Sequence, residues 1–192
     1  MRDKLRRLSG EPLFRIREFE ALEALFPQLR PAAVLVPLTE VDGTLDIVLT
    51  KRSEELRKHS GEVSFPGGRQ DPDDAHLVET ALRETYEEIA IRPDDVEVYG
   101  ALLSMPTVTG YDVTVYVGEF GSPYELVPNP DEIDTIIQAP LTAFLDDANY
   151  RTEEREWGGF RFPMHYYDYD GHVVWGATAY MLHTLLEYLR TD

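Results

Sequence analysis

Three glutamates near the middle of the sequence have the spacing of a cation site. When residues 74–89 are projected as a helix of about 100° per residue, Glu84 and Glu88 lie one turn apart on a flank of the apolar face. Glu87 lies beside them, closer to solvent, and Glu88 is expected to be the most buried. Carboxylates that converge on a half-buried flank repel each other unless a positive charge lies between them. Oxygen ligands of this kind suit a hard divalent cation, Mg²⁺ or Mn²⁺.

The same acidic run has a simpler interpretation, a helix face that only contacts water. That interpretation puts the carboxylates opposite the apolar face, each with a basic residue four positions later. Here they border the apolar face, and only Glu88 has such a neighbour, Arg92. The projection also puts Arg83 on the other side of the helix. The pattern alone leaves both interpretations open.

The segment Phe65-Pro66-Gly67-Gly68, upstream of this helix, predicts a tight turn. Glycine allows the main chain to approach a ligand closely, and its carbonyl or amide can join a metal or phosphate site. An ordinary connecting turn is the alternative, because Pro-Gly pairs are common in turns.

Residues 68–91 resemble the Nudix box, whose usual form is G-x5-E-x7-R-E-U-x-E-E-x-G-U with U aliphatic. The match consists of Gly68 and of the R-E-x-x-E-E core at 83–88. The segment departs from the pattern by one extra residue before that core and by three substitutions, at Asp74, Thr85 and Ala90.

The residues just upstream resemble a second motif, which marks the coenzyme A pyrophosphatase branch of the Nudix hydrolases. The resemblance rests on Leu49-Thr50-Lys51-Arg52-Ser53, Leu56-Arg57, His59, Gly61 and Phe65-Pro66-Gly67-Gly68. The two motifs are contiguous and together span residues 49–91.

The resemblance implies a fold and a reaction. The fold is α+β, an α/β/α sandwich in which a mixed β-sheet is packed between helices. The reaction is metal-dependent hydrolysis of the diphosphate bond of coenzyme A or a derivative to 3′,5′-ADP and 4′-phosphopantetheine. The alternative is a Nudix pyrophosphatase for another nucleoside diphosphate derivative, such as NADH or ADP-ribose. A module that binds a nucleotide without hydrolysing it is a further alternative, which the intact R-E-x-x-E-E core argues against.

The resemblance also implies roles for individual residues. Glu84, Glu87 and Glu88 bind Mg²⁺ or Mn²⁺, with the backbone carbonyl of Gly68 as a further ligand, and Arg83 orients a ligand carboxylate. A surface ion pair is the alternative for Arg83.

The candidate general base is Glu132, which follows a proline-rich loop and precedes a strand-like run at 133–139. Nudix enzymes often carry a further catalytic or metal-binding glutamate in such a late loop. A loop carboxylate without a role is the alternative, and Glu84 is then the candidate base.

Basic residues cluster just before the acidic helix. We expect them to bind the substrate phosphates, with arginine offering bidentate contacts. They are Lys51, Arg52, Arg57 and Lys58, with Arg69 as a further candidate. Ordinary solvation of a loop is the alternative.

Composition excludes several classes of protein. The chain has 18 basic and 36 acidic residues, a net charge of −18, which disfavours nucleic acid and anionic membranes as partners. The acidic excess begins abruptly, because residues 1–69 carry 12 basic and 11 acidic side chains and residues 70–192 carry 6 and 25. Cysteine is absent, so disulfides, thiolate zinc sites and cysteine nucleophiles are excluded. We expect a cytoplasmic enzyme, monomeric or homodimeric, with a small-molecule substrate.

Periodicity and turn signals predict one domain over 1–192. Helices are expected at 14–27, 74–89 and 178–190. Strands are expected at 32–38, 45–50, 96–104, 113–120, 160–167 and 172–175, with hairpin turns at Asp42-Gly43 and Asp170-Gly171.

Overall fold

The computed structural model describes residues 1–15, 28–54, 61–157 and 160–191. The predicted helix at 14–27 therefore falls mostly outside the described residues, and its first two residues form a short strand. The basic residues Arg57 and Lys58 also fall outside them.

The larger sheet is mixed. Among the described residues it contains eight strands, in the order β1-β6-β7-β2-β3-β4, with β5 pairing to β2 and β8 to β3. The strands are β1 Phe14–Arg15, β2 Arg30–Val41, β3 Thr44–Arg52, β4 Val63–Ser64, β5 Gly67–Arg69, β6 Val96–Pro106, β7 Tyr111–Phe120 and β8 Ile133–Pro140. Strand β2 runs parallel to β7 and antiparallel to β3.

The hairpin between β2 and β3 is the one that the sequence predicts. Asp42 and Gly43 have φ angles of 49° and 80°, the left-handed conformation that matches the twist of a two-residue hairpin. The centres of both strands are buried on both faces because layers cover the sheet on each side.

One of these layers is the acidic helix, α2, which spans Leu77–Ile89. Its Ala81 packs against Ala33 and Leu35 of β2, while alternate residues of β2 such as Val36 face the opposite core. The helix begins three residues later than predicted, because Asp74 forms a turn instead: its carboxylate accepts a hydrogen bond from the amide of Asp71, 3.0 Å away.

The other layer is formed by a small antiparallel sheet and the C-terminal helix. Its strands are β9 Tyr150–Trp157, β10 Phe160–Tyr169 and β11 His172–Trp175, and helix α3 spans Gly176–Arg190. The predicted hairpin at Asp170-Gly171 is present, whereas β9 was not expected.

The remaining helical segments are short: α1 at Arg2–Leu5 and 3₁₀ helices at Pro93–Asp95, Leu141–Leu145 and Asp147–Asn149. None of the described helices is long and apolar enough to cross a membrane.

Candidate active site

The three glutamates of α2 differ in burial in the order that the helical projection predicts. The side chain of Glu88 is 2% exposed, that of Glu84 17% and that of Glu87 51%. Burial raises the pKa of Glu84, an effect that Arg83 opposes. The side chains therefore lie along the edge of the helix that borders the sheet, and do not form a uniformly solvated face.

Gly68 lies directly against Glu84. A Cβ atom on Gly68 would be 2.5 Å from both carboxylate oxygens of Glu84, so only glycine leaves room for that carboxylate. The predicted turn at 65–68 is wrong in its second half, because Gly67–Arg69 form β5, which pairs with Ala32–Val34 of β2. This long-range pairing brings the glycine main chain beside α2.

Arg83 joins the carboxylate cluster, contrary to the projection that put it on the other side of the helix. Its Nη1 lies 2.9 Å from Oε1 of Glu84 and 3.2 Å from Oε2 of Glu87. The projection follows the Cα position, whereas the long side chain reaches around the helix. Arg83 thus supplies positive charge between two of the three glutamates.

Asp74 holds Arg83 in this orientation. The carboxylate accepts two parallel bonds, from Nε at 3.0 Å and from Nη2 at 2.9 Å, and Thr80 Oγ1 donates a third at 2.9 Å. Arg83 keeps the pKa of Asp74 far below the ordinary value for a carboxyl group. The sequence analysis did not predict that Asp74 orients Arg83. Its position, where the Nudix box usually has a glutamate, was the available signal.

Glu88 lies closest to Arg52 of β3. Nη1 of Arg52 is 3.4 Å from Oε1 of Glu88, and Nη2 is 3.7 Å from Oε2 of Glu132, so Arg52 bridges the helix and the loop before β8. The pKa of Glu88 is raised to about 8, mainly by burial and also by Glu84 and Glu132, while Arg52 and the amide of Gly67 oppose the rise. The structure thus brings Glu132 to the same cluster.

The other predicted phosphate-binding residues on the described part of the chain, Lys51 and Arg69, contact carboxylates outside this cluster. Lys51 is within 3.6 Å of Asp134 and 3.4 Å of Glu54. Arg69 is exposed, with Nε 3.5 Å from Asp71. The sequence analysis did not predict the contact of Asp134 with Lys51. A spacing of two residues from Glu132 could have indicated it, because residues i and i+2 of an extended chain lie on the same side.

The donor set fits a hard cation in its chemistry. Within the described ranges no donor reaches Oε2 of Glu88, a buried oxygen, and a buried acceptor of this kind favours a bound cation. In the same ranges, no three acidic or imidazole side chains converge to metal-binding distances. Arg83 lies between Glu84 and Glu87, so its contacts with these two carboxylates would compete with a cation.

Comparison with known families decides what kind of domain carries this site. The sequence profile of the NUDIX domain matches residues 29–157, from β2 and its preceding residues to the end of β9. The chain belongs to the Nudix family. The predicted fold class, a mixed sheet packed between helices, is confirmed.

Relatives of this Nudix protein are similar over most of its length. Nudix hydrolase 15, mitochondrial, of Arabidopsis thaliana is 42% identical over 158 residues, which cover 79% of this chain. The chain spans only about half of that protein, 55% of its length. The uncharacterized Nudix hydrolase NudL of Pectobacterium atrosepticum is 40% identical over 158 residues, 82% of each chain.

A solved structure supports the Nudix fold independently of these relatives. The Nudix hydrolase RenU of M. smegmatis superposes with a TM-score of 0.52 over 62% of this chain and 76% of its own, at 17% sequence identity. At this identity the similarity concerns the fold.

Proposed function

We propose that this Nudix protein hydrolyses the diphosphate bond of coenzyme A or a coenzyme A derivative, with Mg²⁺ or Mn²⁺ as cofactor, to 3′,5′-ADP and 4′-phosphopantetheine. The observation that carries hydrolysis is the buried Oε2 of Glu88 in a Nudix domain, which lacks a donor among the described residues, with Arg52 linking Glu88 to Glu132. Coenzyme A as substrate is supported by the motif at 49–68.

Glu84, Glu87 and Glu88 would hold the cation, together with the backbone carbonyl of Gly68. A bound divalent cation neutralises phosphate oxygens and acidifies water, which is the chemistry that diphosphate hydrolysis needs. Arg83 orients Glu84 through its Nη1 contact at 2.9 Å. This orientation costs little when the substrate binds, because Asp74 already fixes the guanidinium.

Glu132 is the proposed general base. It lies in the turn immediately before β8, is 43% exposed, and is near enough to Glu88 of α2 to raise its pKa. A general base must reach the proton of the attacking water, and a half-exposed loop carboxylate is open to water. Glu132 accepts the proton of the attacking water and returns it to solvent after the P–O bond breaks.

Lys51 and Arg69 are the proposed phosphate contacts on the described part of the chain, and Arg57 is the one proposed outside it. Arg69 is exposed and holds Asp71 only at 3.5 Å, so it can turn to an anionic ligand at small cost. Such cations counteract the charge of −18 that would otherwise repel the substrate.

A substrate panel tests the proposal. Free, acylated and oxidised coenzyme A, NADH and ADP-ribose are each incubated with Mg²⁺, with Mn²⁺ and with EDTA, and the products are separated by chromatography. We expect 3′,5′-ADP from coenzyme A only when a metal is present. Glu79→Gln is the matched control for substitutions of the proposed metal-binding glutamates of α2. Glu79 is an exposed carboxylate of the same helix that accepts a hydrogen bond from the amide of Ala75 instead of joining the cluster. Cleavage of ADP-ribose or NADH with coenzyme A untouched would replace the substrate assignment.

A further inference from the structure

We propose that Arg52 is a positioning residue, which holds Glu132 beside the α2 carboxylates, and that it is not a phosphate ligand. The inference deepens the proposed function and rests on it. It also replaces the role that charge and motif had suggested for Arg52.

The two arms of the Arg52 guanidinium point to carboxylates on two different elements. Nη1 faces Glu88 on α2 at 3.4 Å, and Nη2 faces Glu132 before β8 at 3.7 Å. A planar guanidinium suits this bridge because its donors form a rigid fork, whereas an ammonium group is a single point charge. A substrate phosphate would have to displace one of these carboxylates to bind the same donors.

The main chain around Arg52 is fixed as well. Its amide donates to the carbonyl of Glu62 at 3.0 Å, and its carbonyl accepts from the amide of Gly61 at 3.2 Å. The next residue, Ser53, donates its amide to the carbonyl of Glu132 at 2.8 Å. Backbone and side chain therefore hold the Glu132 segment against the end of β3 at two points.

A register shift in the sheet creates this contact. Lys51 is opposite Thr135 in β8, but Arg52 is opposite Ile133, so β8 bulges at Asp134. The bulge brings the residue before β8, Glu132, within reach of Arg52. Bulges of this kind re-aim a side chain next to a site.

The neighbouring pair provides a matched control. Lys51 also contacts carboxylates, Asp134 at 3.6 Å and Glu54 at 3.4 Å, but these are 52% and 76% exposed. Glu88, in contrast, is 2% exposed. When Glu88 is ionised, loss of Arg52 leaves a buried anion without its cation, whereas loss of Lys51 leaves only solvated carboxylates without theirs.

The first part of the test measures melting temperatures and does not depend on enzymatic activity; we call it the thermal arm. Melting temperatures are measured in EDTA at about pH 9, where Glu88 is ionised, for Arg52→Gln, Glu88→Gln, the double variant Arg52→Gln/Glu88→Gln, and Lys51→Gln. We expect Arg52→Gln to lower the melting temperature by at least about 3 °C, and by less than about 1 °C when Glu88 is already Gln. Lys51→Gln should lower it by less than about 1 °C. Equal losses from Arg52→Gln in both backgrounds would overturn the inference.

The kinetic arm separates positioning from substrate binding. We expect Arg52→Gln to lower kcat about 10- to 100-fold with KM changed less than about threefold, and Glu132→Gln to do the same. The double variant Arg52→Gln/Glu132→Gln should lose no more than either single variant, and Arg52→Lys should recover part of kcat. A KM raised about tenfold at unchanged kcat, or additive losses, would show a phosphate ligand instead.

The two arms also separate this inference from the proposed function. If the unmodified protein cleaves none of the panel substrates, the proposed function fails, while the thermal arm still shows whether Arg52 is coupled to Glu88. If hydrolysis is observed and the thermal coupling is absent, the proposed function stands and the positioning role of Arg52 is wrong.

Discussion

At the residue scale, Glu88 carries an energetic cost that serves the proposed chemistry. A carboxylate that is 2% exposed has lost its water, and Arg52 and one backbone amide oppose the resulting rise in pKa to about 8. Groups that are destabilised in the free protein and relieved by a ligand are typical of functional sites. Because the folded pKa lies above the unfolded value, this group lowers stability progressively as the pH rises from about 4.5 to about 8.

Gly68→Ala tests the close contact with Glu84. The added Cβ would lie 2.5 Å from both carboxylate oxygens, so Glu84 must move away from its present position. We expect kcat with Mn²⁺ to fall at least about 10-fold, because a displaced ligand or orienting group loses its geometry. Steady-state kinetics measure this effect.

Gly121→Ala is the control for that substitution, because a Cβ on Gly121 meets nothing within 4 Å. It should leave kcat unchanged. An active Gly68→Ala variant would show that Glu84 does not need its present position.

At the scale of elements, helix α2 ends on a strained residue. Ala90 caps the helix with φ 61° and ψ 21°, the left-handed conformation that glycine adopts without cost. This is the position at which the sequence departs from the final glycine of the Nudix box. The departure therefore affects stability and leaves the carboxylates in place.

Ala90→Gly should stabilise the protein. Relief of the left-handed alanine is worth about 1 kcal/mol, a rise of about 2–4 °C in melting temperature for a chain of this size. Ala177→Gly, at an exposed right-handed position in the first turn of α3, should instead lower the melting temperature. Thermal unfolding of both variants measures the difference, and a lower melting temperature for Ala90→Gly would contradict the strain argument.

Elements with strong local signals were predictable, and elements that depend on distant partners were not. The apolar periodicity of residues 74–89 was sufficient to predict helix α2 and its buried face. The Asp42-Gly43 pair was sufficient to predict the hairpin between β2 and β3. Strand β9 was missed because residues 150–157 are mostly charged and lack an apolar alternation. The pairing of β5 with β2 was missed because it joins segments far apart in the chain.

The same division holds within the candidate site. The spacing of Glu84, Glu87 and Glu88 gave their order of burial, since helix geometry is local. The bridge from Arg52 to Glu88 was not predictable, because it joins residues 36 positions apart on a strand and a helix. The reach of Arg83 toward Glu84 also depends on its side-chain conformation, which a projection of Cα positions omits.

At the scale of the whole molecule, the proposed site and the main titratable cluster of the second layer are separate. Between the small sheet and α3, the rings of His165 and His183 stack with centroids 4.0 Å apart. Each Nδ1 lies 2.8 Å from a tyrosine hydroxyl, of Tyr150 and Tyr167 respectively. Burial lowers the pKa of both histidines, that of His165 to about 4. This layer therefore favours the neutral form of both histidine side chains.

Stability should fall on mild acidification because of this pair. The folded pKa of His165 lies below its unfolded value of about 6.5, so its contribution is complete above that pH and is lost as the pH falls toward about 4. We expect the free energy of unfolding to fall between about pH 7 and pH 5 by about 1–2 kcal/mol more in the unmodified protein than in His165→Phe. Urea titrations at both pH values measure the difference, and parallel curves for the two proteins would contradict it.

The charge distribution also acquires a structural meaning at this scale. The change from balanced to acidic sequence near residue 69 falls at β5, where the chain passes from the strands that carry Lys51 and Arg52 to α2. In the fold, Arg52 of the first segment faces Glu88 of α2, so one cation offsets a carboxylate of the acidic segment. The net charge of −18 is thus locally offset where an anionic substrate is proposed to bind.

The central claim is that the α2 carboxylates hold a divalent cation, and the shift in melting temperature caused by Mn²⁺ tests it most directly. The unmodified protein and Glu88→Gln are stripped with EDTA and then melted with and without saturating Mn²⁺ at about pH 7.5, where the buried carboxylate costs stability. We predict that Mn²⁺ raises the melting temperature of the unmodified protein by at least about 3 °C and that of Glu88→Gln by less than about 1 °C. Without metal, Glu88→Gln should be the more stable of the two. Equal Mn²⁺ shifts in both proteins, or no shift in the unmodified protein, would contradict the account.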